Sequence, residues 1–247
     1  MKVDMPIIET KKLLKNFDGV KAVDDLSIQI EKGKITGIIG PNGSGKTTLI
    51  NLLTGILPID AGAILIDGIK TRKIRPQQIS FYGITRTFQT IRLFEQMTVL
   101  DNILIVMTKR NIFSALFEKH KKYHLKKAED ILTRVELWDK RNQLAVNLSY
   151  GQRKLLEIAR ALATRSQIFL LDEPFAGLFP EMRKIVASII RELREEEKTI
   201  ILIEHNIDLI RELCDYIIAL DSGQLLAEGL PVEVLENEKV VEAYLGK

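Results

Sequence analysis

Gly40-Pro41-Asn42-Gly43-Ser44-Gly45-Lys46-Thr47 sets glycines, a lysine and a hydroxyl in the order G-x-x-x-x-G-K-[ST]. Glycines let a backbone wrap a triphosphate closely, so that N–H groups and the positive end of a following helix face the anion. In such a loop Gly40, Asn42, Gly43, Ser44, Gly45, Lys46, Thr47 and Thr48 line the nucleotide. Lys46 reaches the β- and γ-phosphates and the Thr47 hydroxyl is placed on Mg²⁺. The apolar run Ile35–Ile39 before the loop reads as a buried strand, and Thr48–Leu53 behind it as the start of a helix. That context separates the motif from a chance glycine-rich turn. The chain is expected to bind a nucleoside triphosphate.

A second group of reactive residues closes the apolar run Ile168-Phe169-Leu170-Leu171 with Asp172-Glu173. A strand buried on both faces exposes polar groups only at its carboxyl end, where open α/β sheets bind ligands. Asp172 offers the hard oxygen that suits Mg²⁺. Glu173 is placed to orient and polarise an attacking water, the usual work of a carboxylate base.

The elements that must position these residues follow from the pattern. Val23–Ile30, the turn Glu31-Lys32-Gly33-Lys34 and Ile35–Ile39 suggest an antiparallel pair leading into the first buried strand. Asp67-Gly68 between apolar residues is a hairpin signal, and Ile84–Gln89 a further short strand. Between Gly83 and Gly151 there are no glycines, and from about Leu93 to Thr164 helical spacing and dense charge predict a helical insert. Ile168–Asp172 and Thr199–Glu204 are continuous apolar runs of parallel-strand type, separated by a helix over Glu181–Glu197. Tyr216–Ala227, with Ser222-Gly223 inside it, predicts a closing hairpin.

Composition narrows the class. At 247 residues, 46% of them hydrophobic and 28% charged, the chain can bury a full core and belongs with globular proteins. A net charge of +3 lacks the basic footprint of a nucleic-acid binder. One cysteine, Cys214, excludes an internal disulfide and reads as a small core residue in a cytosolic protein. Met1–Lys15 is charged throughout and has no apolar region of signal-peptide type. No apolar stretch approaches the ~18 residues of a membrane helix, so any membrane role is expected to run through a partner. His120 and His124 share a helix face, but the lysines around them favour a solvated surface over a metal site. Trp138 is expected in the core.

Asn147-Leu148-Ser149-Tyr150-Gly151-Gln152, opening a helix just before the acidic strand, resembles the signature motif of ATP-binding-cassette (ABC) ATPases, whose usual form is L-S-G-G-Q. Ser149, Gly151 and Gln152 match; Tyr150 departs. The resemblance implies that this motif binds the γ-phosphate of ATP held by a second cassette. A serine N-cap and a helix N-terminus carrying roughly half a positive charge suit that work. It also implies that Gln89 is the glutamine-loop residue touching Mg²⁺ and a membrane partner. His205 becomes the switch histidine at the γ-phosphate, and Phe17 stacks on adenine. Phe179 stands where the family's loop usually carries an aspartate bridging two sites, which implies differently wired communication between them.

The fold class so implied is α/β: a P-loop NTPase (RecA-like) core with an antiparallel β subdomain and an inserted helical subdomain. The nucleotide-binding core covers about 1–92 and 165–230, the signature-bearing helical lobe about 93–164, and a short C-terminal helical extension 231–247. Thr85-Arg86-Thr87-Phe88-Gln89, Leu148-Ser149-Tyr150-Gly151-Gln152 and Ala243-Tyr244-Leu245-Gly246 are similar to the longer ATPase subunit of branched-chain amino acid importers. The implied ligands are ATP and Mg²⁺. The implied partners are a second ABC ATPase subunit, two transmembrane permease subunits and, indirectly, an extracytoplasmic binding protein, with the chain on the cytoplasmic face of the cell membrane and no nucleic acid. A soluble ABC ATPase, a lipopolysaccharide-export-type ATPase and a non-hydrolysing regulatory module remain as alternatives.

Overall fold

The structure, a computed structural model, describes residues 5–71, 74–107 and 121–245; His120 and Gly246 lie outside them. The chain divides into two units. The first comprises Met1–Arg86, Gln167–Glu173 and Ile190–Lys247, and the second Thr87–Ser166 and Pro174–Ile189.

In the first unit β1 (Ile8–Phe17), β2 (Val20–Leu26) and β3 (Gln29–Ile30) precede β4 (Ile35–Ile39), and β5 (Ala61–Ile66) and β6 (Ile69–Thr71) follow it. An antiparallel sheet runs in the order β2-β1-β5-β6, with β3 also on β1. The run Val23–Ile30 is therefore two strands. The buried Thr10 explains the break: its hydroxyl donates to the Leu26 carbonyl at 2.9 Å and accepts the Ile28 N–H at 3.0 Å. A side chain has taken the partners that a continuous ladder would use. Asp67-Gly68 forms the expected hairpin, both residues at positive φ (50° and 74°), with Ile66 paired to Ile69.

The second sheet of this unit contains β4, β7 (Ile84–Arg86), β8 (Ile168–Asp172), β9 (Thr199–Ile203), β10 (Tyr216–Asp221) and β11 (Gln224–Gly229). Its order is β11-β10-β4-β9-β8-β7, parallel except for the β10–β11 hairpin. Every residue of β4, β8 and β9 is buried, which is why these segments read as unbroken apolar runs. Helix α1 (Lys46–Leu53) contributes Leu49, Ile50, Leu52 and Leu53 to a core that includes Ile8 and Leu26 of one sheet and Ile38, Leu170 and Ile201 of the other. Each such side chain contributes about 1.5–3 kcal/mol by leaving water. Cys214 is buried as expected, and burial pushes its thiol up to about 12.

The second unit holds α2 (Val99–Met107), α3 (Lys121–Arg134), α4 (Tyr150–Ala163) and the first part of α5 (Pro180–Glu195). Val99, Ile103, Ala128, Leu132, Leu155, Leu156 and Ala159 are all buried. Trp138 is half-buried rather than core. It lies in a short 3₁₀ turn, and the Arg141 guanidinium sits 4.6 Å from its ring centroid, so a cation occupies a ring face that packing would otherwise fill. The chain continues in the first unit with α6 (Ile207–Leu213), α7 (Pro231–Leu235) and α8 (Glu238–Leu245). No helix among the described residues is long and apolar enough to cross a membrane.

Candidate active site

The carboxyl ends of three neighbouring parallel strands bring the reactive residues of the first unit together: Gly40 after β4, Asp172-Glu173 closing β8, and Glu204-His205 after β9. At Gly40 (φ 150°) an added Cβ would lie 2.2 Å from the Leu220 carbonyl oxygen. At Gly45 (φ 98°) it would lie 2.4 Å from that of Ala22. Both glycines are thus dictated by backbone that approaches too closely for any side chain. Asn42, Gly43 and Thr47 are exposed, Thr48 is half-buried and Ser44 is buried. The N-cap of α1 is Gly45, with no side-chain cap and no acidic residue in the first turn, so the N-terminal peptide dipoles keep their attraction for an anion.

Lys46 is buried, and its Nζ donates to the carbonyls of Gly40 (2.7 Å) and Pro41 (2.9 Å). Burial lowers its ammonium below the ordinary lysine range, while the charges of Glu173 and Asp172 act to hold the proton on. Asp172 in turn accepts from Arg86 Nη2 at 2.9 Å, and Arg86 Nη1 donates to Asn51 Oδ1 at 2.6 Å. Sequence reasoning missed Arg86 and Asn51. A cation closing the short strand β7 was the available signal, since β7 pairs with the strand that carries Asp172.

Glu173 adopts a left-handed backbone (φ 48°) and its N–H donates to the Ile203 carbonyl at 3.0 Å. Such a conformation costs a non-glycine residue about 1–3 kcal/mol and is held by its surroundings. Its Oε1 stands 3.0 Å from His205 Nε2, and the His205 N–H donates to Glu204 at 3.2 Å. Phe17 ends β1 half-exposed, with Lys15 Nζ 5.3 Å from its ring centroid and Lys15 held by Asp60 at 2.7 Å.

In the second unit Ser149 caps α4 in a reciprocal box: its hydroxyl accepts the Gln152 N–H and its own N–H donates to Gln152 Oε1. At Gly151 an added Cβ would lie 2.3 Å from Met182 Sδ, so the methionine side chain would have to shift to admit one. A Cβ on Gly177 (φ 71°) would meet the Tyr150 ring at 2.7 Å, so the two departures from the family pattern lie beside each other: the tyrosine in the signature and the loop that carries the exposed Phe179. Gln89 is exposed. The backbone before it is clamped by α4: Phe88 N–H donates to Glu157 Oε1 at 3.1 Å, and its carbonyl accepts from Lys154 Nζ at 3.2 Å. This clamp explains why β7 ends at Arg86, short of the expected Gln89.

The C-terminal helix reaches the phosphate loop. The Gly40 N–H donates to the Tyr244 hydroxyl at 2.8 Å, across 204 residues of sequence. Burial pushes that phenol above the ordinary tyrosine range, against the opposing pull of the Gly40 N–H.

A glycine-rich loop between a buried parallel strand and a helix, with carboxylates at the neighbouring strand ends, defines a P-loop nucleoside triphosphatase. A family model described as ABC transporter matches residues 23–176, and one described as branched-chain amino acid ATP-binding cassette transporter matches residues 224–247. The chain is 38% identical over 254 residues to the high-affinity branched-chain amino acid transport ATP-binding protein LivG of Salmonella typhimurium, covering 99% of this chain and 100% of that one. It superposes on a crystal structure of the ADP conformation of an ATP-binding cassette of an ABC transporter with a TM-score of 0.85, at 38% identity over 98% of this chain and 100% of that one. A dimeric cassette in a post-hydrolysis state, bound to ADP and Pi, matches at 26% identity and TM-score 0.80 over 91% and 98%. The chain belongs to the ABC transporter family, among the branched-chain amino acid transport ATP-binding proteins, and is an ATPase.

Proposed function

We propose that this ATPase drives a membrane transporter that imports branched-chain amino acids. In that reading it works at the cytoplasmic face as one of two cassettes bound to two permease subunits, with an extracytoplasmic binding protein delivering the cargo. The matches over both the cassette and the C-terminal segment support the transport reading.

The contact between Glu173 and His205 at the strand ends beside Lys46 carries the hydrolytic part. Lys46 and the loop N–H groups hold the phosphates, and Phe17 stacks on the base. Glu173 orients and polarises a water for attack on the γ-phosphorus, the bond to the β-phosphate breaks, and ADP and phosphate leave. His205 holds the Glu173 carboxylate in place and contacts the γ-phosphate. The Thr47 hydroxyl and the Asp172 carboxylate are the hard oxygen donors that Mg²⁺ takes, and Gln89 belongs to the same set by family resemblance. When bound, that ion neutralises phosphate charge. Ser149, Gly151 and Gln152 act on the nucleotide of the second cassette, the arrangement that closes a twofold pair. The lobe 93–164 carries that signature, and 231–247 is a C-terminal extension.

Capture of tagged Glu173→Gln protein from detergent-solubilised native membranes with ATP tests the assembly. Two polytopic membrane proteins and a second cassette are expected by mass spectrometry. Ribosomal or DNA-repair proteins without membrane subunits would overturn the transporter, and lipopolysaccharide-export subunits would overturn the cargo.

A further inference from the structure

Gly40 is tied at both of its peptide groups. Its carbonyl accepts from Lys46 Nζ at 2.7 Å and its N–H donates to Tyr244 at 2.8 Å. It is also the residue at which the chain leaves β4 for the phosphate loop, it is buried, and its φ of 150° is one that other residues avoid. A buried N–H without an acceptor is costly, so whichever group accepts from Gly40 helps to decide the angle of the turn. That group comes from the last described helix. Val240, one helical turn before Tyr244, is buried and anchors the same face of α8. A second brace comes from the same end of the chain: Gly223, in the β10–β11 turn, donates its N–H to the Ser44 carbonyl at 3.1 Å. The loop is thus held at its entry by α8 and in its middle by the hairpin.

We propose that Tyr244 is a positioning residue for the nucleotide site: by accepting the Gly40 N–H, its phenol sets the exit angle of the phosphate loop and couples docking of α8 to triphosphate affinity. The inference rests on residues 40–47 being the nucleotide site. Coupling between two equilibria is reciprocal, so a bound triphosphate holds α8 down as firmly as a docked α8 improves triphosphate binding. Tyr244 then has a physical task, which is to pass loop occupancy to α8.

The test is Tyr244→Phe in the full chain, which keeps the ring and removes the acceptor. Binding of a fluorescent ATP analogue is titrated on this variant, on wild type and on Lys46→Ala. The expected result is a Kd raised roughly three- to tenfold at unchanged stoichiometry, the range for one neutral hydrogen bond. A variant that merely folds less well shows fewer sites per mole at the wild-type Kd, and that result overturns the proposal. So does a wild-type Kd at full stoichiometry when wild type binds and Lys46→Ala does not, an outcome that leaves the nucleotide site standing. No binding by wild type overturns the site itself. Hydrogen exchange supplies the reciprocal arm: ATP is expected to slow exchange across residues 238–245 severalfold in wild type and much less in Tyr244→Phe. Equal protection in the two proteins contradicts the coupling.

Discussion

His205 Nε2 lies 3.0 Å from Glu173 Oε1, joining the second residue after β9 to the first residue after β8. Adjacent strands in register make the contact possible, since Asp172 pairs with Ile203 and each segment then continues past the carboxyl end of its strand. The left-handed turn at Glu173 completes it.

If the two side chains act as a unit, their substitutions do not multiply. Glu173→Gln is expected to lower ATP turnover about 10²–10⁴-fold while ATP binding persists. His205→Ala lowers turnover too, and the double variant is little worse than Glu173→Gln alone. Steady-state phosphate release measures all three. Fully multiplicative losses would show that the contact is incidental.

Lys154 and Glu157 form a buried pair on α4, 3.6 Å apart, and together clamp Phe88. Burial raises the Glu157 carboxyl, with the Lys154 charge opposing. Lys154→Met alone strands a buried carboxylate and is expected to cost about 3–5 kcal/mol. Adding Glu157→Gln should recover most of that loss. Urea unfolding of the two variants decides the matter: a double variant no more stable than Lys154→Met would mean the pair contributes nothing through charge.

Asp215 ties the end of α6 to α5 and β4. It accepts from Arg194 Nη2 at 2.7 Å and from the Ile35 N–H at 2.9 Å. Burial pushes its carboxyl up, yet Arg194 and the Ile35 N–H outweigh it and leave the group below the ordinary aspartate range. A depressed folded-state value gives stability that is full above the unfolded carboxylate range, near 3.9, and is lost as pH falls through the folded value. The stability gap between wild type and Asp215→Asn should therefore be widest near neutrality and close on acidification below about pH 4. A gap that stays constant from neutral pH into strong acid would be incompatible with this assignment.

Much of this architecture is legible locally. The phosphate loop, the acidic end of β8 and the Asp67-Gly68 turn each announce themselves because their chemistry is confined to a few consecutive residues. The Thr10 hydroxyl that divides β2 from β3 is invisible for the opposite reason: it acts on residues 16 and 18 positions away. Arg86 on Asp172 and Gly40 on Tyr244 span 86 and 204 positions. No periodicity encodes such pairs; only the strand order and the docking of α8 bring them together. Trp138 escaped for a related cause, since apolar bulk says nothing about an arginine waiting three residues on.

Tyr150 and Gly177 meet across a space that leaves little room for a further carbon. A side chain at position 177 is disfavoured twice over: its backbone φ is 71°, and its first carbon would fall 2.7 Å from the exposed tyrosine ring, which would have to turn aside. Removing the ring relieves only the second constraint, because the left-handed backbone still favours glycine. A chimaera that takes the common signature therefore frees the space over position 177 without freeing the position itself.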